Sequence, residues 1–152
     1  MKLSPHFSLA ELTNSTTAQR LGLDNTPAPE LLPRLVLAAE MLERIRTVLG
    51  VPITVTSGYR APAVNRAVGG VTSSDHTQGH AVDIIAPGYG TPYLVASLLA
   101  PLVSTLGIGQ LILEGVKGKQ WVHVSTRSPE KFANRIITIT DAGARTGIQV
   151  LS

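Results

Sequence analysis

The chain has 152 residues, 43% of them hydrophobic and 15% charged, with thirteen basic and ten acidic side chains for a formal net charge of +3. This composition excludes intrinsic disorder, which needs low hydrophobicity with high net charge, and the length predicts a single domain over residues 1–152. Aromatics at 4% and the lack of a Lys/Arg cluster leave no nucleic-acid footprint, and the absence of cysteine excludes disulfides, thiolate zinc sites and a cysteine nucleophile.

Residues 1–7 lack the apolar core of a secretory signal, so synthesis in the cytoplasm is expected. Ser8 followed by Glu11 at the third helical position is a capping box, predicting a short helix, with a second around Ala18 that ends at Gly22. Pro27-Ala28-Pro29 breaks the chain. Across residues 30–49, Leu31, Leu35, Ala38, Leu42, Ile45 and Leu49 recur at helical spacing and Gly50 closes the run, which predicts the main helix. Residues 51–56 are rich in β-branched side chains and read as a strand with Pro52 at its start, followed by a turn over 57–62 and a helical turn over 63–68. Residues 81–85 read as a second strand. Residues 91–106 read as one amphipathic helix with Pro92 in its first turn. Its apolar run is interrupted by Ser97, Pro101, Ser104 and Thr105 and falls short of the ~20 residues that cross a bilayer, so no membrane insertion is expected. Residues 110–116 and 120–126 read as strands around Lys117-Gly118-Lys119, and residues 136–140 as a further strand. The pattern is an α+β fold with a central, mainly antiparallel sheet and flanking helices.

The chemistry concentrates in Ser74-Asp75-His76-Thr77-Gln78-Gly79-His80-Ala81-Val82-Asp83-Ile84. Burying Asp83 between Val82 and Ile84 is costly unless the carboxylate is paired or bound to metal. His76 lies in a Gly/Ser-rich loop, and His123 sits within the strand Trp121-Val122-His123-Val124-Ser125. One loop imidazole and two strand residues make three N/O ligands and leave a fourth zinc position open, the pattern of a catalytic site. Taken singly, each has an ordinary explanation: a strand histidine satisfied in the core, or a strand aspartate capping a neighbouring loop. Spacing alone leaves both explanations open. His80 reads as loop surface, because Gly79 makes a helix carrying His76 and His80 poor, and His6 reads as solvated.

Ser57-Gly58-Tyr59-Arg60, Asn65, Gly69-Gly70, the run Ser74-x-His76-x-x-Gly79-x-Ala81-x-Asp83 and Trp121-Val122-His123-Val124 resemble the M15 zinc peptidases. Within them the chain resembles the D-Ala-D-Ala carboxypeptidase-like branch common in phage genomes. The opening Phe7-Ser8-Leu9-x-Glu11-Leu12, with Ser15, Ala18 and Asn25, fits the start of those phage proteins. The resemblance implies a fold like that of M15 peptidases and the zinc-bearing domain of hedgehog proteins, with Zn2+ held by His76, Asp83 and His123. It implies that Arg60 steadies a substrate carboxylate or carbonyl through a planar guanidinium fork. It also places Ser74 beside the metal, orienting His76 or a substrate carbonyl, and Gln78 as a further substrate contact.

The general base departs from the family pattern. Some relatives carry Glu three residues before the last zinc histidine, where this chain has Gln120; others carry His two residues before it, where this chain has Trp121. Glu114 is the remaining acidic candidate. A two-residue turn on Lys117-Gly118 or Gly118-Lys119 sets Glu114 opposite Trp121 or His123 and aims it at the metal, whereas a three-residue loop pairs it with Val122 and sends it away. The implied activity is hydrolysis of peptidoglycan stem peptides or cross-links, as carboxypeptidase or endopeptidase, by a monomer of endolysin type that reaches the wall after release or on a virion. A wall-binding module that kept the metal site without turnover is the alternative.

Overall fold

The computed structural model describes residues 1–151. The chain opens with two short helices, α1 (Leu9–Thr13) and α2 (Thr16–Leu21). Both arms of the expected capping box are present: Ser8 accepts from the Glu11 amide, and Glu11 accepts from the Ser8 amide. Gly22 ends α2 in the left-handed conformation, as the sequence predicts. A 3₁₀ turn over Pro29–Leu31 leads into α3 (Leu32–Leu49), whose buried face includes Leu35, Ala38, Leu42 and Ile45.

The strand β1 is shorter than predicted, spanning Thr54–Ser57. Pro52 has no amide to give to a ladder, and Ile53 is buried without joining the sheet. Then come α4 (Pro62–Ala67) and β2 (Ala81–Ile85), the latter with the predicted bounds. The long helix expected over 91–106 is broken: α5 (Pro92–Leu99) passes through a 3₁₀ turn over Ala100–Leu102 into α6 (Val103–Leu106). Pro101 is the cause, since its ring cannot continue an α-helical hydrogen-bond ladder. The chain continues as β3 (Gln110–Val116), β4 (Lys119–Ser125), β5 (Ile136–Thr140) and β6 (Gly143–Thr146). β6 has no counterpart among the strands that the sequence predicts. Gly143-Ala144-Arg145-Thr146 is exposed throughout and carries no alternating apolar signal.

The six strands lie in the order β1-β2-β4-β3-β5-β6, with every pair antiparallel except β3 and β5. This is the α+β architecture with a mainly antiparallel sheet. Val82, Ile84, Leu111, Leu113, Val122 and Val124 point to one side and join α3 and α5 in the hydrophobic core. The two-residue period then sends Asp83, Ile112, Glu114, Trp121 and His123 to the opposite face. The helices cover the apolar face and leave the other free for polar chemistry. No helix among the described residues is long and apolar enough to cross a membrane.

Candidate metal centre

Strand register brings the polar face together. β2 and β4 pair Asp83 with His123, and β3 and β4 pair Ile112 with His123 and Glu114 with Trp121. The β3–β4 hairpin turns on Lys117 (φ 53) and Gly118 (φ 76), both left-handed, as a type I′ turn requires. Of the alternatives read from the sequence, this is the two-residue turn on Lys117-Gly118, and it puts Glu114 on the His123 face. Glu114 Oε1 lies 3.9 Å from His123 Nδ1. β4 keeps an unbroken register from Lys119 to Ser125, so Gln120, paired with Gly115, belongs to the other face. The strand register aims position 120 away from His123, although Gln120 also lines the cleft that Asp83 borders.

His76 arrives from the loop before β2. The ring Nδ1 lies 2.8 Å from the Gly58 carbonyl, an acceptor only, so Nδ1 carries the hydrogen and Nε2 presents its lone pair. That Nε2 lies 3.2 Å from Asp83 Oδ1, and His123 Nδ1 lies 3.2 Å from the same oxygen. All three residues are buried, and one ligand atom from each falls within 4.8 Å of the others. Ligand bonds of ~2.0–2.1 Å in a tetrahedron put neighbouring ligand atoms ~3.3 Å apart, so the donor set, its spacing and the fixed His76 tautomer fit a zinc ion. Burial raises the Asp83 pKa, but the two imidazoles outweigh it and hold the carboxyl well below the usual range. Burial lowers the His123 pKa, and Asp83, with help from Glu114, more than reverses this. Glu114 itself is pushed up, first by burial and then by the Asp83 charge.

A strap from the N-terminal region holds His76 and Arg60 in place. A bulge in β1 between Val55 and Ser57 sets Ser57 opposite Asp83 just before the chain turns into Gly58. The Tyr59 amide donates to the Leu12 carbonyl (2.7 Å), and the Arg60 amide donates to the His76 carbonyl (3.1 Å). Asn25 clamps the strap, donating to the Thr13 and Tyr59 carbonyls and accepting from the Ala61 amide. The Arg60 guanidinium is pulled down in pKa by burial, against the charges of Asp83 and Glu114, and its Nε is buried without a partner. A Cβ at Gly58 would collide with the Leu12 carbonyl. Gly58→Ala is therefore expected to cost ~1–3 kcal/mol in urea unfolding and to weaken metal affinity, because the carbonyl that orients His76 must shift.

Other expected residues fall differently. Ser74 Oγ accepts from the His76 amide (3.2 Å), so it shapes the His76 loop. Gln78 is exposed, and its side-chain oxygen accepts from Arg34 on α3 (3.1 Å), which turns it to that helix and makes it no part of the polar cluster. His80, expected on the surface, is half-buried; its backbone carbonyl accepts from the Thr126 amide (3.0 Å), joining its loop to the end of β4. His6 is exposed as expected, and its ring pairs with Glu43 at 2.7 Å. Asp75 has no assigned role in the motif pattern, yet its carboxylate pairs with Arg127 and accepts from the buried Ser125 hydroxyl at 2.8 Å. It ties the His76 loop to the His123 strand. The available signal was the two-residue step from His123 to Ser125 along one strand face.

Two clefts border the cluster. One of about 750 Å³ is lined by Asp83, Arg60 and Trp121, and one of about 840 Å³ by His123, Asp75 and Arg127. A separate cavity of about 360 Å³ beside the hairpin turn contains none of the His-Asp-His set.

A buried His-Asp-His set with a neighbouring carboxylate and a guanidinium, open to clefts, has the make-up of a metal-dependent hydrolase site. The family model described as Peptidase M15 matches residues 5–125, which include every residue of this cluster. The chain belongs to the Peptidase M15 family, a family of zinc peptidases. Comparison with curated proteins gave no match.

Proposed function

We propose that this chain is a zinc-dependent peptidase that hydrolyses peptide bonds in peptidoglycan stem peptides or cross-links. The observation that carries the reading is the buried convergence of His76, Asp83 and His123, with ligand atoms within 4.8 Å of one another. When bound, zinc supplies Lewis-acid activation of the scissile carbonyl and of the attacking water. His76 and His123 hold the ion with neutral imidazoles and Asp83 with a carboxylate, the Gly58 carbonyl keeping His76 in the required tautomer. Glu114 Oε1 takes the proton of the attacking water and returns it to the leaving amine nitrogen, a role suited to a half-buried carboxyl with a raised pKa. Arg60 donates from its unpartnered Nε to a substrate carbonyl or carboxylate. Specificity for the wall rests on the family resemblance of the motifs around Arg60, His76 and His123. The match of the opening segment to phage members supports an endolysin-type protein of phage or prophage origin, acting as a monomer after release or on a virion.

The test is mass spectrometry of purified muropeptides incubated with zinc-loaded protein. Each cut bond is expected to add one water to the products, a chelator to stop the reaction, and added zinc to restore it. Equal cutting by the chelated protein would sink the zinc-dependent reading.

A further inference from the structure

We infer that the cavity beside the hairpin turn is a second ligand site, on the face of the sheet opposite the metal set. It takes a small hydroxylated anion, a sugar or polyol that carries a carboxylate or a phosphate. The inference stands apart from the peptidase reading, since none of the groups it uses belongs to the metal set.

The cavity follows from the strand register. On the face that the helices cover, three cross-strand rows run over β4, β3 and β5: Val124-Leu111-Ile136, then Val122-Leu113-Thr138, then Gln120-Gly115-Thr140. The first row is apolar throughout and the second ends in a hydroxyl. The third offers an amide, a bare backbone and another hydroxyl. The buried core reaches Leu113 and Val122 and goes no further toward the turn, where a hollow of about 360 Å³ opens. β6 adds Arg145, the cross-strand partner of Thr138.

The chain after β6 doubles back to make the remaining wall. The Gly147 amide donates to the Ile136 carbonyl at 2.8 Å. The buried Thr138 hydroxyl donates to the Gly147 carbonyl and accepts from the Gln149 amide, both at 2.8 Å. A Cβ at Gly115 would come within 3.1 Å of the Leu151 side chain, so the glycine lets the tail lie close against β3. These contacts fix the wall before any ligand arrives, which lowers the cost of binding. Most of the lining comes from residues 138–151, beyond the part of the chain that the family model matches.

Charge sets the ligand class. Arg145 and Lys119 line the cavity and form no ion pair among the described residues. The Asp141 carboxylate accepts from the Lys117 amide at 3.2 and 3.3 Å, which turns it to the hairpin. Two cations against one engaged carboxylate favour an anion, and a guanidinium takes a carboxylate or phosphate in a bidentate fork. The amide of Gln120 both donates and accepts, as ligand hydroxyls require. The Thr140 oxygen accepts from the Ala142 amide (3.1 Å), which leaves its hydrogen to donate. The volume is near the lower end of the ~300–1,000 Å³ usual for ligand sites, so it suits one sugar-sized unit.

The test titrates isotope-labelled, zinc-loaded protein with N-acetylmuramic acid, glycerol 3-phosphate, inorganic phosphate and neutral N-acetylglucosamine, and follows backbone amide shifts. At least one of the two hydroxylated anions is expected to shift the Gln120, Thr140 and Arg145 amides. It should bind about tenfold tighter than N-acetylglucosamine, which lacks the lactyl carboxylate. The tighter of the two identifies the source as sugar carboxylate or polyol phosphate. Arg145→Gln, a change at an exposed position, is expected to weaken that binding about tenfold without altering the thermal melt, and Arg145→Lys to recover part of it. The inference would be overturned by equal binding of the neutral sugar or of inorganic phosphate, by shifts confined to the surroundings of His76, Asp83 and His123, or by unchanged affinity in Arg145→Gln.

Discussion

His123→Ala is expected to lose most of its zinc and, with it, all peptide hydrolysis above background. His123 Nδ1 sits 3.2 Å from the buried Asp83 oxygen and on the strand that pairs with β2, and alanine carries no donor atom to take its place. Losing even a group that merely supports a ligand typically costs 10–100-fold in metal affinity, so removing a ligand should exceed ~10²-fold. The fold should survive. His123 belongs to the polar face, while the core that joins the sheet to α3 and α5 is built from Val82, Ile84, Val122 and Val124. The deletion still leaves Asp83 with one imidazole instead of two, a loss of about 1–3 kcal/mol for a buried polar group deprived of a partner. Metal analysis of the purified variant beside a thermal melt separates the two effects. Stoichiometric zinc in a folded His123→Ala protein would remove His123 from the ligand set.

Glu114→Gln tests the proton route. The substitution keeps the size and hydrogen-bonding reach of the side chain and removes its ability to accept a proton. Turnover is expected to fall ~10²–10⁴-fold with zinc content unchanged. Adding Gln120→Glu to this variant should restore nothing, because β4 runs without a bulge and position 120 belongs to the face opposite His123. Near-normal turnover by Glu114→Gln would move the base elsewhere. Rescue by Gln120→Glu would mean that β4 rearranges when substrate binds.

Much of the fold was legible because its signals are local. Ser8 and Glu11 announce a helix start within four residues, Gly50 marks the end of α3, and the apolar run Ala81-Val82-Asp83-Ile84-Ile85 gives β2 its bounds. Errors arose where one residue outweighed a pattern. Pro101 broke a helix whose apolar spacing continued through it, and Pro52 kept residues 51–53 out of β1. β6 went unread because its strand character comes from pairing with β5 and not from its own side chains.

For the site, the residue types on offer were readable along the chain: two imidazoles and a carboxylate placed in or beside apolar strands, where polar groups are retained only with partners. It also limited Glu114 to one face or the other. Which face it takes was decided by two left-handed residues at the hairpin turn, since a shift of one residue in register reverses every side chain of a strand. The convergence of His76 on Asp83 and His123 required the Gly58 carbonyl, the Asn25 clamp and the Asp75–Ser125 link, contacts made between segments 12 to 50 residues apart. Such contacts depend on how helices and sheet pack, and nothing in a local stretch of chain encodes their distances. Only the tertiary structure could therefore assign Gln78 to Arg34, give Asp75 its anchoring role, and set the His-Asp-His cluster between two clefts.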